Sequence, residues 1–182
     1  MLVKKFKSVK RISILGGQGT GKTILANNIG KELNLPIYHL DSIQNMENWK
    51  KRDKRERDEI ILNKVKESSW IIDGTYVTTL EERVKKSDLI IFLNFSTIER
   101  VKGVMLRYLK NRGKEKKEIP GCKENFTLKF LKYTIDWDKE KEEVVNEILE
   151  RNSDRQIIVF KKRKELNKWY INNFGKKIDL KY

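Results

Sequence analysis

Eight consecutive residues, Gly16-Gly17-Gln18-Gly19-Thr20-Gly21-Lys22-Thr23, carry the clearest chemistry in the chain. They fit G-x-x-x-x-G-K-[ST], a pattern in which each fixed position has a mechanical reason. The glycines admit backbone angles and close approaches that a Cβ would block. The N–H groups of the loop, and of the helix it opens, then point partial positive charge at phosphate oxygens. Lys22 supplies a point charge for the β and γ phosphates, and the Thr23 hydroxyl a hard oxygen for Mg²⁺. The expected ligand of residues 16–23 is therefore ATP with Mg²⁺.

Two carboxylates stand where such a ligand needs them. Asp73 ends the apolar run Trp70-Ile71-Ile72-Asp73 and is followed by Gly74, so it is a candidate to hold Mg²⁺ directly or through water. The bland alternative is a strand-end acid capping the next turn. Asp41 closes His39-Leu40-Asp41 after a short apolar run. Ligands of open α/β sheets bind beyond the carboxyl ends of the strands, which puts Asp41 beside the phosphate loop. It is a candidate to accept a proton from an acceptor hydroxyl or to fix that acceptor, the alternative being a cap or turn residue. His39, the single histidine, is equally a core residue that orients its neighbours.

Cations gather in three places. Residues 1–11 carry +5, residues 100–117 carry +7 and residues 161–168 carry +4, against +15 for the whole chain, so the remainder is close to neutral. Within the second segment Arg107 and Arg112 are the candidates for stabilising charge on a transferring phosphoryl group, with Arg100, Lys110 and Lys114 as neighbours. A solvated helix face is the competing reading. In the third segment Arg163 is a candidate for the nucleotide edge, or a plain surface turn. Of the 41 cations 30 are Lys and 11 are Arg, a ratio that disfavours bidentate base readout and keeps sequence-specific DNA binding second.

The elements that must position these groups alternate strand and helix, which implies a parallel sheet with helices on both faces. Strands are expected at 11–15, 37–39, 70–73, 88–94 (the most apolar and so the central one) and 156–160. Helices are expected at 21–33, within 47–68, at 80–86, from Ser96 toward Arg112, along 126–150 as one long amphipathic helix, and at 164–174 before Gly175. Thr79 with Glu82, and Ser96 with Glu99, have capping-box spacing. Residues 113–125 read as a polar loop. At 182 residues, without a linker or repeat, one unit over 1–182 is expected, with a lid at about 100–125.

Composition excludes other classes. Cys122 alone forbids an internal disulfide framework, and no Cys/His cluster offers a structural zinc site. No run approaches the ~20 uncharged apolar residues of a membrane span. The first residues lack a signal-like apolar stretch, so a cytoplasmic chain acting as monomer or homodimer is expected.

In order along the chain, GGQGTGKT at 16–23, HLD at 39–41, Trp49, WIIDGTY at 70–76, LEERVKKSDLIIFL at 80–93 and PGCKENFTLKFLKY at 120–133 resemble the topology-modulation (FlaR-related) proteins, a group of adenylate-kinase-like P-loop kinases. The resemblance implies a three-layer P-loop kinase fold with about five parallel strands, a helical lid that includes Arg107–Arg112, ATP on Gly19–Thr23, and Asp73 near Mg²⁺. It implies transfer of the γ-phosphoryl group of ATP to a small acceptor, a nucleoside or nucleotide among the candidates. The alternatives are an ATP-dependent DNA-binding regulator and a nucleotide-binding protein without transferase activity. Two departures stand out: the family's W-x-P-G-W run is reduced to Trp49, with Asn45, Glu47 and Asn48 at the other positions, and Asn94 replaces an acid.

Overall fold

The computed structural model describes residues 6, 8–116, 118–124, 126–137 and 141–178. Within these, the β-branched runs form β1 (Arg11–Gly16), β2 (Ile37–His39), β3 (Trp70–Asp73), β4 (Leu89–Leu93) and β7 (Ile157–Phe160), and two further short strands form β5 (Glu115–Lys116) and β6 (Ile119–Lys123). The helices are α1 (Lys22–Leu33), α2 (Leu40–Gln44), α3 (Lys54–Val65), α4 (Leu80–Lys86), α5 (Thr97–Asn111), α6 (Leu128–Trp137), α7 (Glu143–Arg151) and α8 (Arg163–Phe174). The five main strands make a parallel sheet in the order β2-β3-β1-β4-β7, while β5 and β6 pair antiparallel.

Both sheet faces are covered, and the pleat sorts side chains between them. Leu89, Ile91 and Leu93 of β4 join Ile12, Ile14, Leu25, Ile29, Leu166 and Tyr170 on the side of α1 and α8. Ile90 and Phe92 join Leu15, Leu80, Val84, Trp137, Val145 and Ile148 on the side of α4, α6 and α7. Burial on both faces explains why β4 reads as one continuous apolar run. The same holds for β1, which occupies the centre because β3 and β4 both pair with it; β4 is interior, one place from the centre.

Several expected boundaries move for local reasons. The Asp53 carboxylate accepts the N–H groups of Arg55 and Glu56, so α3 begins at Lys54 and residues 47–49 form a separate 3₁₀ turn. Of the helix expected over 126–150, α6 accounts for Leu128–Trp137 and α7 for Glu143–Arg151, and residues 138–140 lie outside the described residues. The loop expected at 113–125 carries the β5–β6 hairpin. Thr79 does not cap α4: its hydroxyl reaches back to the Tyr76 carbonyl. Ser96 accepts the Glu99 N–H, but the Glu99 carboxylate turns away to Arg163, so only half of that capping box forms. Lys4, Lys5, Lys7 and Lys117 of the basic segments lie outside the described residues, whereas Arg11 pairs with Asp88 at 2.8 Å.

Candidate functional site

The carboxyl ends of β1 and β3 and the start of α1 bring the sequence candidates together. Residues 16–23 run from β1 into α1, with Gly19 at φ +73° and Gly21 at φ +91°, conformations costly for other residues. A Cβ on Gly19 would lie 2.2 Å from the Arg100 carbonyl oxygen, so the loop packs on the backbone of α5 with no room for a side chain. Gly103 answers from the helix, where a Cβ would lie 2.0 Å from the Gly19 oxygen. The Lys22 ammonium donates to the Gly17 carbonyl at 2.8 Å, as does the Thr20 hydroxyl at 2.9 Å.

Thr23, at the second position of α1, donates from its hydroxyl to Asp73 Oδ2 at 2.9 Å. His39 Nδ1 meets the other Asp73 oxygen at 2.5 Å, so both oxygens of this buried carboxylate are fixed. A hydroxyl and a carboxylate beside a phosphate loop are the hard oxygen donors that Mg²⁺ prefers, so these residues fit that ion. Burial disfavours the His39 imidazolium, yet hydrogen bonding to Asp73 and the charges of Asp73, Glu118 and Asp41 outweigh it and raise its pKa.

Lys22 reports what faces it. Burial pulls its pKa below the ordinary lysine value, Asp41 and Asp73 oppose that, and Arg107 and Arg100 reinforce it. Asp41, exposed on α2, accepts from the Tyr76 hydroxyl at 3.2 Å. Tyr76 in turn lies 4.7 Å beneath the buried Arg57 guanidinium, and burial followed by the Asp41 charge raises its pKa. Lys22, Asp41, Asp73 and Arg107 thus share one electrostatic environment.

Other candidates sit differently. Arg112 is exposed at the C-cap of α5. Arg163 donates to the Gly19 oxygen at 2.5 Å and the Thr20 oxygen at 3.3 Å while pairing with Glu99, so it braces the loop through its carbonyls. Arg100, grouped by sequence with the lid cations, is buried: it donates to the carbonyls of Phe95 and Thr134 and lies 5.2 Å from the Trp137 ring. Gln18 completes the loop with its side-chain oxygen buried.

Three residues were not legible as site residues. The Thr75 hydroxyl exchanges hydrogen bonds with the N–H and carbonyl of Gly16, each 3.0 Å. Arg83, fully buried, donates to the carbonyls of Gly74 and Tyr76, and burial lowers its pKa to about 9. Glu124, buried, takes Arg107 at 3.1 Å and Lys116 at 3.5 Å. A fourth, Gly103, left a signal, as an isolated glycine inside a helix.

No family model matches this chain, and no curated relative matches it either. Solved structures do. Shikimate kinase from Acinetobacter baumannii in complex with shikimate superposes over 96% of this chain and 99% of its own, with TM-score 0.59 and 13% identity. Shikimate kinase from Bacteroides thetaiotaomicron covers 85% and 87%, with TM-score 0.50 and 17% identity. Deoxyadenosine kinase from M. mycoides with bound dATP covers 92% and 100%, with TM-score 0.49 and 15% identity. At these identities the first two establish the fold, a five-stranded P-loop kinase fold with helices around a parallel sheet. Among the described residues no helix is long and apolar enough to cross a membrane.

Proposed function

We propose that this chain is an ATP-dependent kinase that transfers the γ-phosphoryl group to a hydroxyl of a small acceptor. The observation that carries the reading is the contact between Thr23 and Asp73, 2.9 Å long and beside a lysine that faces Asp41 and Arg107 together. Phosphoryl transfer rests on positioning and charge stabilisation, and each group fits such a part. Gly16 through Thr23 cradle the phosphates. Lys22 and Arg107 meet the developing charge, and Asp41 orients the acceptor hydroxyl and takes its proton. Thr23 and Asp73 would hold Mg²⁺, which when bound neutralises phosphate charge. Arg163 positions the loop, and Arg112 joins the phosphates only when the lid carries it there.

In this reading residues 1–182 act as one unit, in the cytoplasm, as monomer or homodimer, with the lid at about 100–125. Kinship with the topology-modulation proteins is supported by the HLD and WIIDGTY segments. The DNA-regulator alternative gains nothing, because Arg11, Arg100 and Arg163 are engaged within the fold.

The test is ADP release from ATP·Mg²⁺ across a panel of nucleosides, nucleotides, sugars and small alcohols. Acceptor-dependent release that disappears in Lys22→Ala is expected. A chain that binds ATP but is accelerated by no acceptor would count against transferase activity.

A further inference from the structure

An open cleft of about 480 Å³ lies between the end of α2 and the lid hairpin, lined by Ser42, Asn45, Glu47 and Arg52 below and by Glu118 and Ile119 above. Its size suits a small ligand. It opens one residue along α2 from Asp41, and the Glu118 charge acts on His39, the partner of Asp73, so it adjoins the proposed transfer centre.

The chemistry of this cleft follows from which of its charges are already spoken for. Arg52 is held by Glu56 and by the Ile43 carbonyl. Arg57, bonded to Gln44 at the end of α2, is also held by Asp58 and Thr78. Arg107 and Lys116 share Glu124, and Lys116 also lies 5.2 Å from the Trp49 ring. Arg107 adds to the depression of the Lys22 pKa, so its charge is felt at the phosphate loop. Glu47 and Glu118, in contrast, form no ion pair with a lysine or arginine among the described residues and line the cleft with Ser42 and Asn45.

We propose that the acceptor bound here is a hydroxyl-bearing small molecule without an anionic group, such as a nucleoside or a neutral or amino sugar, held through its own O–H and N–H donors. Recognition of a carboxylate or phosphate is normally built on an arginine free to bind it in a bidentate way. Each cleft-side arginine already has its carboxylate, and an incoming anion would meet Glu47 and Glu118 instead. Donors of a polyol or amine find acceptors at Glu47, Glu118, Asn45 and Ser42. The cleft wall at 45–49 is also where the sequence departs from the family's W-x-P-G-W run.

The proposal rests on the kinase reading, and its test separates the two. Matched pairs, each a nucleoside against its 5′-monophosphate and a hexose or hexosamine against its 6-phosphate, are compared with shikimate for ATP-dependent ADP release. The uncharged or cationic member is expected to be preferred in kcat/KM by about 100-fold or more, as like-charge juxtaposition demands. Preference for an anionic compound would overturn the acceptor class and leave the kinase reading standing. The double variant Glu47→Lys/Glu118→Lys should raise KM for the preferred acceptor at least tenfold with ATP affinity unchanged; an unchanged KM would overturn the proposal. If nothing is turned over, thermal shift with the same pairs and a non-hydrolysable ATP analogue decides. Stabilisation by the uncharged members keeps the acceptor class and sinks the transfer reading, whereas stabilisation by the anionic members alone, or by none, overturns the acceptor class.

Discussion

Replacing Gly103 by alanine adds one methyl group at a place where helix propensity and packing point in opposite directions. Gly103 is inside α5, so on propensity alone alanine stabilises by about 1 kcal/mol. The new Cβ, however, would stand 2.0 Å from the Gly19 carbonyl oxygen and 2.6 Å from Arg163 Nη2. The first neighbour is backbone. Helix and loop must part by about 1 Å before the contact reaches even 3.0 Å. Overpacking of this kind costs about 1–3 kcal/mol, and contact with backbone belongs at the upper end. The net expectation is a loss of about 1–2 kcal/mol, or a Tm lower by about 2–8 °C for a chain of this size. A loop displaced by about 1 Å should also weaken ATP binding by about 10–100-fold, since errors of that size are costly to a preorganised site. Calorimetric unfolding and ATP titration measure both effects. Lys102→Ala, on the exposed side of the same helix, serves as the control and should change neither. A Gly103→Ala protein with raised Tm and unchanged ATP affinity would refute the idea that α5 sets the position of the phosphate loop.

Three further outcomes follow from particular contacts. Asp73→Asn keeps the shape but removes the charge between Thr23 and His39, so the Mg²⁺ concentration needed for half-maximal ATP turnover should rise about 10–100-fold, read from a magnesium titration. Asp88 is held below the ordinary carboxylate value: burial raises its pKa, but the Arg11 guanidinium and the N–H groups of Lys10 and Arg11 lower it further. A depressed carboxylate contributes stability above its unfolded value near pH 4 and loses it as pH falls through the folded value. Asp88→Asn should therefore lower stability at pH 7 by about 1–2 kcal/mol and flatten the acid limb below about pH 4, measured by urea unfolding across pH. Trp137, 1% exposed, packs on Phe92 and under Arg100, and Trp137→Ala should cost about 3–5 kcal/mol in the same assay.

What the amino-acid order determined by itself was everything whose cause is local. The phosphate loop followed from glycine spacing, the strands from β-branched runs between Gly, Pro and polar residues, and the parallel sheet from their alternation with helical periods. Asp73 and Asp41 stood out as candidates because each closes a strand or follows one. Sequence misjudged residues 113–125, read as a loop where β5 and β6 pair, and Thr79, whose hydroxyl found a carbonyl instead of an N–H. Tertiary structure alone decided which charges are already committed. Arg100 was grouped with Arg107 and Arg112 because nothing nearby in the chain says that it will be buried against Trp137 and the Thr134 carbonyl, 34 residues on. Arg163 brings its guanidinium back to the Gly19 carbonyl across 144 residues of chain, and Glu124 collects Arg107 and Lys116 only because the hairpin folds onto α5. A residue type declares its charge locally, but the partner that neutralises it is chosen by chain crossings that no spacing rule encodes.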